Sequence, residues 1–337
     1  MSLEATKDDQ QRRCLHILIT GSSQGVGLAA AKQLIAEGHT VYHACRSDAR
    51  AQHAAEQAGG GVALKACNLS DFDSVKAFAQ DVQTRVHRLD VVCLNAGMSP
   101  STSIQEPPFL TQQGYEPTIG VNHLGHFLLA HLLLDKLMAS AENPRLVLTA
   151  SSVHDPSLRA GQSGGKTATL GGLSGLGVNL KQNPQGPTMV DGSTEYSGAK
   201  VYKDSKLCNI LMCRQAATGE LFPKTLTTCC FNPGFVPTTG LFESLRQESW
   251  WKAKALTLLA SIIGFSIPVE VAGARLVTMA THPDIPNGSY YCAADKSKGA
   301  TPEEGFVVTN VSEDASNDAL AEALWKKSME IVKPWLE

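Results

Sequence analysis

The segment from Leu15 to Gly38 constrains this chain more than any other. Leu15-His16-Ile17-Leu18-Ile19-Thr20 is a short run of mostly branched apolar residues and reads as a buried strand. Gly21-Ser22-Ser23-Gln24-Gly25-Val26-Gly27 follows at once, and a helical pattern then runs from Leu28 to Glu37 and stops at Gly38. Strand, glycine-rich turn and helix in that order form the setting in which such glycines suggest a dinucleotide site. Glycines at 21, 25 and 27 allow a tight turn and close backbone approach, and the first N–H groups of the helix stay free for a pyrophosphate. Residues 21 to 27 are therefore expected to hold a dinucleotide. A loop that merely turns a corner is the bland alternative.

A second strand, Thr40 to Cys45, ends at Arg46-Ser47. A carboxylate there would bind the 2′-hydroxyl of NAD, whereas a guanidinium suits a 2′-phosphate. Arg46 thus favours NADPH over NADH, unless it is simply a solvated surface arginine.

Strand and helix patterns go on alternating. Val62 to Cys67 is strand-like and leads into Asn68-Leu69-Ser70-Asp71, where Ser70 is a candidate cap for a helix from Asp71 to Val86. Leu89 to Leu94 runs into Asn95-Ala96-Gly97, and Gly120 to Met138 reads as a long apolar helix containing Asn122. Arg145 to Thr149 ends at Ser151-Ser152, and Leu226 to Phe231 ends at Asn232-Pro233-Gly234. Repeated βα units imply an α/β fold: a single doubly wound, Rossmann-type domain with a parallel sheet between helices. Ligands are expected at the carboxyl ends of its strands, where each of these polar motifs falls. Residues 1–14 read as an extension and 15–337 as that one domain.

Tyr202 and Lys206 lie four residues apart, hence on one face if this segment is helical. A lysine charge beside a phenol favours the phenolate and lowers its pKa toward neutrality. The pair is a candidate general acid/base once a hydride carrier sits beside it, although the spacing alone is common by chance.

The bulk numbers exclude some classes. Of the 337 residues 43% are apolar, enough for a real core, and the net charge of −3 with no basic block argues against nucleic-acid binding. Nine scattered cysteines, with no Cys-x-x-Cys, fit free thiols in a reducing compartment rather than a disulfide framework, and no metal site is expected. No run reaches the roughly 18 to 20 apolar residues of a membrane span. Met1 to Arg13 has no apolar h-region and is too short and acidic for a transit peptide, which leaves open a longer precursor.

Together, Thr20-Gly21-x-x-x-Gly25-x-Gly27, Asn95-Ala96-Gly97, Asn122, Ser152 and Tyr202-x-x-x-Lys206 resemble the short-chain dehydrogenase/reductase signature, over about residues 15 to 300. The resemblance implies that Ser152 orients the substrate, Tyr202 exchanges the proton, and Lys206 lowers its pKa and grips the ribose. Asn122 would hold a proton-relay water. Gly21 to Gly27, Arg46, Asn68, Leu69, Asn95, Ala96, Gly97, Tyr202, Lys206, Pro233, Gly234, Thr238 and Thr239 would contact the cofactor.

A narrower resemblance lies between Ser152 and Tyr202, where 49 residues stand in place of the dozen or so of simple members. Leu170-Gly171-Gly172-Leu173-Ser174-Gly175-Leu176, Met189-Val190-Asp191-Gly192 and the run from Ala199 to Asn209 resemble the light-dependent NADPH:protochlorophyllide oxidoreductases. So do Ala44-Cys45-Arg46, Asn122 to Leu129 and Thr238-Thr239-Gly240-Leu241-Phe242. The resemblance implies light absorption by a bound tetrapyrrole, protochlorophyllide, and reduction of its C17=C18 double bond with NADPH. It makes 153–198 a family insertion and 241–268 a lid-like segment. Phe235 and Phe242 would face the pigment pocket.

Two positions depart from that pattern. The family usually carries Tyr-Pro-Gly-Cys where this chain has Asn232-Pro233-Gly234-Phe235. Phe235 has no proton to donate, although it could stack on a flat ring system. The departure is what dark reductases of the wider family tend to show. A dark NADPH-dependent reductase of a lipophilic carbonyl, such as a retinoid, is therefore the second reading. A non-catalytic pigment- or nucleotide-binding protein is the third, and the retained proton-transfer set argues against it.

Trp250-Trp251-Lys252-Ala253-Lys254 and the apolar run to Phe265 suit a membrane surface or a greasy pigment, or else a helix buried on the core. Asp318 to Val332 reads as an amphipathic helix burying Leu320, Leu324, Trp325 and Met329. The family resemblance implies a plastid protein at the thylakoid surface or a cytoplasmic one in a phototrophic bacterium. It leaves a homo-oligomer open.

Overall fold

The structure, a computed structural model, describes residues 14–102, 104–237, 266–293 and 305–337. Thr238, Thr239 and Phe242 lie outside the described residues, as does the lid-like segment apart from its last three residues.

Branched apolar runs bounded by turns form eight strands in one sheet. They are β1 (His16–Thr20), β2 (Thr40–Ala44), β3 (Val62–Ala63), β4 (Val91–Leu94), β5 (Arg145–Thr149), β6 (Thr227–Phe231), β7 (Tyr290–Ala293) and β8 (Phe306–Val308). Their order is β3-β2-β1-β4-β5-β6-β7-β8, and all pair in parallel except β8, which runs antiparallel to β7. In the centre, Ile17 lies opposite Val41 on one side and Val91 on the other. The chain thus leaves β1 toward one edge and returns to build on its opposite side. That reversal opens a crevice at the carboxyl ends of β1 and β4.

Helices cover both faces: α1 (Gly25–Ala36), α2 (Asp48–Ala58), α3 (Phe72–Arg85), α4 (Pro117–Ile119), α5 (Gly125–Ser140), α6 (Arg159–Gln162), α7 (Gly198–Ala217), α8 (Val269–Thr281) and α9 (Asp318–Val332). Alternate residues of a strand point to opposite faces, so Ile17 and Ile19 enter one core and Leu18 the other. The first core lies under α1 and α8, which meet backbone to backbone. A Cβ on Gly273 would stand 2.9 Å from the Ala30 nitrogen and 2.7 Å from the Ala29 Cβ. The second core, the larger, lies under α3, α5, α7 and α9 and includes Phe72, Phe127, Leu211 and Trp325.

Several local expectations shift. The strand at 62–67 shortens to two residues. Asp71 rather than Ser70 caps α3, accepting from the Asp73 N–H at 3.1 Å, because the Ser70 hydroxyl is bonded to Asn68 Oδ1 at 2.8 Å. The C-terminal helix turns its face by a fraction of a turn: Ala321, Leu324, Trp325, Ser328 and Val332 are buried, while Leu320 and Met329 are only partly so. The Gly120 helix opens as a π-helical turn, Gly120–Leu124, before α5 begins. A Cβ on Gly125 would lie 2.4 Å from the Leu69 carbonyl oxygen, so the widened turn sits directly against the loop after β3.

The residues of the insertion are pinned to α7 by ions. Lys200 Nζ donates to the Thr169 carbonyl at 2.8 Å and pairs with Asp191 at 3.0 Å and Asp204 at 2.6 Å. The Thr169 N–H donates to Asp204 Oδ1 at 3.0 Å. Lys203 Nζ reaches the Lys166 carbonyl at 2.7 Å.

Candidate active site

A cleft of about 960 Å³ runs along the carboxyl ends of the strands, from the glycine turn to the loop after β6. Its floor at one end is the turn itself. Gly21 and Gly25 adopt φ of +70° and +56°, which favours glycine. A Cβ on Gly27 would lie 2.5 Å from the Gly21 carbonyl oxygen, so α1 can approach the turn this closely only without a side chain. Ser23, Gln24, Gly25, Val26 and Gly27 line the cleft. Ser22 does not: it is buried, and its hydroxyl is bonded to His43 Nδ1 at 3.0 Å.

Thr20 and Asn95 join the two central strands at the crevice. Thr20 Oγ1 accepts from the N–H groups of Asn95 at 2.8 Å and Ala96 at 2.9 Å, and Asn95 Nδ2 donates to the Thr20 carbonyl at 3.0 Å. A Cβ on Gly21 would meet Ala96 Cα at 3.0 Å. Arg46, Asn68 and Leu69 line the same end, and Asn95, Ala96 and Gly97 the middle. The Arg46 guanidinium is exposed and carries no hydrogen bond or ion pair to another described residue.

These residues fit a nicotinamide dinucleotide: a glycine cradle that a Cβ would fill, a helix N-terminus behind it, and a free guanidinium where the ribose phosphate would lie. NADPH is the cofactor this donor set accommodates, because Arg46 offers a 2′-phosphate a bidentate partner.

Beyond the turn, α7 presents Tyr202 and Lys206 to the cleft. The Ser151 hydroxyl favours the ionised form of the Tyr202 phenol, opposing the effect of burial. Ser152, expected to orient the substrate, lines the cleft, and so does Ser151, the serine that acts on the Tyr202 phenol. Extended backbone at Ser151, before the short 3₁₀ turn Ser152–His154, places it there.

Lys206 Nζ donates to the Thr149 carbonyl at 3.0 Å and lies 5.5 Å from the centre of the Tyr202 ring. The ammonium is therefore aimed at the end of β5 rather than at the phenol oxygen. Burial dominates both groups: it raises the Tyr202 pKa, with Ser151 opposing, and lowers Lys206 to about 8. The sequence expectation that Lys206 draws Tyr202 toward neutrality is corrected here. In the protein alone, desolvation keeps the phenol protonated, the form a reductase needs to donate a proton.

Asn122 lies behind the cleft wall, fully buried in the π-helical turn. Its Nδ2 donates to the Met98 carbonyl at 2.9 Å and to Ser205 Oγ at 3.0 Å, and its Oδ1 accepts from the Met98 N–H at 2.8 Å. Its carbonyl oxygen is 3.2 Å from His126 Nδ1, while His126 Nε2 is 3.0 Å from Thr20 Oγ1. Burial holds His126 neutral, at about 3, so a ring that donates from Nδ1 accepts the threonine proton at Nε2. Of the groups that Asn122 could lend a water, one carbonyl lone pair remains.

At the far end, Asn232, Pro233, Gly234 and Phe235 line the cleft. Gly234 has φ +97°, its N–H donates to Asn232 Oδ1 at 3.2 Å, and Asn232 Nδ2 reaches Cys292 Sγ at 3.3 Å. Phe235 is held in place by a parallel bridge to Ser266. Arg50, Arg159 and Lys203 line the cleft too and were not singled out from sequence. Arg50 carried a signal, standing in the first turn of the helix that follows Arg46. Lys203 and Arg159 carried none, because a lysine beside a tyrosine and an arginine in an insertion look like surface residues.

Fold and site together define a short chain dehydrogenase, and the family model of that description matches residues 15–164. The chain is 34% identical to protochlorophyllide reductase of Chlamydomonas reinhardtii, a chloroplastic protein, over 94% of this chain and 77% of that one. It is 34% identical to protochlorophyllide reductase of Avena sativa over 94% of this chain and 99% of that one. Among solved structures, an uncharacterized protein of Mycobacterium Paratuberculosis superposes with a TM-score of 0.65 at 24% identity, covering 95% of this chain and 93% of that one. Levodione reductase superposes at 0.57 and 20%, covering 86% of this chain and 100% of that one. These structural likenesses concern the fold. The chain belongs to the protochlorophyllide reductase family of short chain dehydrogenases.

Proposed function

We propose that the protein is a light-dependent NADPH:protochlorophyllide oxidoreductase of plastids. The observation that carries this reading is the Tyr202 phenol, with the Lys206 ammonium 5.5 Å from the centre of its ring, lining the same cleft as the glycine turn. The likeness to protochlorophyllide reductases over most of the chain supports the substrate. Bound NADPH supplies a hydride to one carbon of the C17=C18 double bond. Tyr202 gives its hydroxyl proton to the other carbon, leaving a single bond and a phenolate. Ser151 stabilises that phenolate, and Lys206 lies close enough to lower its energy further. Asn122 positions the pair indirectly, by clamping Met98 to Ser205, whose hydroxyl donates to the Tyr202 carbonyl at 2.7 Å. Arg46 holds the 2′-phosphate.

Phe235, a cleft residue without a proton, supports a second reading: a dark NADPH-dependent reductase of a lipophilic carbonyl. One experiment separates the two. Protein, NADPH and protochlorophyllide are mixed in darkness and flashed, and the red-shifted absorption of chlorophyllide is sought. Appearance only after the flash supports the first reading. No product in light, with consumption of NADPH on retinal in darkness, supports the second.

A further inference from the structure

The charges of the cleft are one-sided. Its described lining residues include five cations, Arg46, Arg50, Arg159, Lys203 and Lys206, and no aspartate or glutamate. The whole chain nevertheless carries a net charge of −3. Arg46 and Arg50 stand at the glycine-turn end and Lys206 in the middle, where a dinucleotide's phosphates and ribose account for them. Arg159 stands on α6 and Lys203 on α7 beside Tyr202, so neither belongs to the elements that build the glycine-turn end.

Their surroundings sharpen the point. Lys203 is only 3% exposed, and its ammonium makes one hydrogen bond, to the Lys166 carbonyl, with no carboxylate in ion-pair reach among the described residues. Two of its three N–H donors are left over. Asp204 attracts this ammonium only from beyond ion-pair distance and is itself paired with Lys200. A buried cation with no carboxylate in contact is unfavourable unless something completes it. Arg159 lies on α6, exposed and without a partner among the described residues. Both elements share one wall: a Cβ on Gly164, just after α6, would lie 3.3 Å from the Ala199 Cβ, one helical turn before Lys203. The cleft lining also offers the apolar side chains of Met98, Phe109, Val153 and Phe235.

We propose that Lys203 and Arg159 form a carboxylate dock at the substrate end of the cleft, selecting an apolar, ring-bearing substrate that carries a free acid. Resting on the function proposed above, this assigns the dock to the single free propionate of protochlorophyllide and turns the reducible ring toward Tyr202. It also explains an arrangement that a neutral lipophilic carbonyl would not require.

The test compares acids with their methyl esters, in darkness, on full-length protein saturated with NADP⁺. Protochlorophyllide and its methyl ester form one pair, and 1-pyrenebutyrate and its methyl ester form a second, independent of the pigment. Binding is read from absorbance or fluorescence. Each acid should bind about 10-fold or more tightly than its ester. Arg159→Ala should remove most of that preference, and Arg159→Glu should reverse it, with NADPH affinity unchanged in both. Arg159 is exposed, so these variants are expected to fold; Lys203→Met is the complementary variant. Equal binding of acid and ester in both pairs overturns the dock, as does failure of every acid to bind. A pigment pair that does not bind, beside a pyrene acid still preferred over its ester, sinks the protochlorophyllide reading and leaves the dock standing.

Discussion

Lys206 and Thr149 are joined by a 3.0 Å hydrogen bond that ties α7 to the carboxyl end of β5 and leaves the ammonium in a buried site. That burial lowers the lysine from an ordinary 10.5 to about 8. Between these values the unfolded chain holds a proton that the folded chain has lost, so this group's contribution to stability improves as pH rises through that window. A cofactor whose anionic groups favour the ammonium pulls the proton back. Binding of NADP⁺ should therefore take up about half a proton at pH 8 and most of one at pH 9, measured by calorimetry in buffers of different ionisation heat. Lys206→Met should bind with no such uptake.

The serine pair gives a direct comparison. Ser151 is the serine that favours the ionised Tyr202 phenol, so Ser151→Ala should lower kcat by about 10²-fold or more, within the range of acid–base assistance. Ser152→Ala should change it only a few-fold. Equal losses in the two variants would show that the hydroxyls exchange roles during turnover.

Tyr202→Phe should bind NADPH normally and lose about 10²- to 10⁴-fold in turnover, because only the proton donor is removed. Fluorescence titration of NADPH checks the first half and single-turnover absorbance the second. A variant with normal turnover would remove Tyr202 from the reaction.

How much of this was legible in the sequence depends on the range of the interactions. The glycine turn reads correctly because Gly21, Gly25 and Gly27 act through their own backbone. Tyr202 and Lys206 share a face because helical spacing alone decides it. The choice between Ser151 and Ser152 rests on one backbone turn, and adjacent hydroxyls look alike in a string of letters. Ser22 was misplaced for a related reason: His43, on the neighbouring strand, draws its side chain away from the cleft. The sign of the Tyr202 shift needed the packing around it, since burial outweighs a neighbouring charge aimed elsewhere. Arg159 and Lys203 become notable only when the fold shows that no carboxylate among the described residues shares their cleft.

Arg46→Ala should weaken NADPH by roughly 10- to 100-fold, the worth of a charge-assisted contact to a phosphate, while leaving NADH nearly unchanged. Competition binding of the two cofactors reads the difference. If preference for NADPH survives intact, Arg50 alone holds the 2′-phosphate.

The Lys200 network supplies a stability test outside the reaction. Lys200 is 4% exposed and Asp204 fully buried, so neither is solvated by water, and each depends on the other and on Thr169. Lys200→Met would leave the Asp204 carboxylate buried beside a single N–H and should destabilise the fold by about 3–5 kcal/mol at neutral pH. Burial raises the Asp204 pKa and Lys200 opposes that rise, so removing the lysine raises it further. With the folded pKa above the unfolded one, the folded variant holds a proton that the unfolded chain has released. Its stability is then lost as pH climbs above the unfolded value toward the raised one, and recovers on acidification. Urea melts of Lys200→Met should accordingly show a midpoint that falls from pH 5 to pH 8 more steeply than in the unmodified protein. Adding Asp204→Asn should flatten that slope and restore part of the stability. A variant as stable as the unmodified protein at pH 8 would mean that the insertion is held to α7 by packing alone.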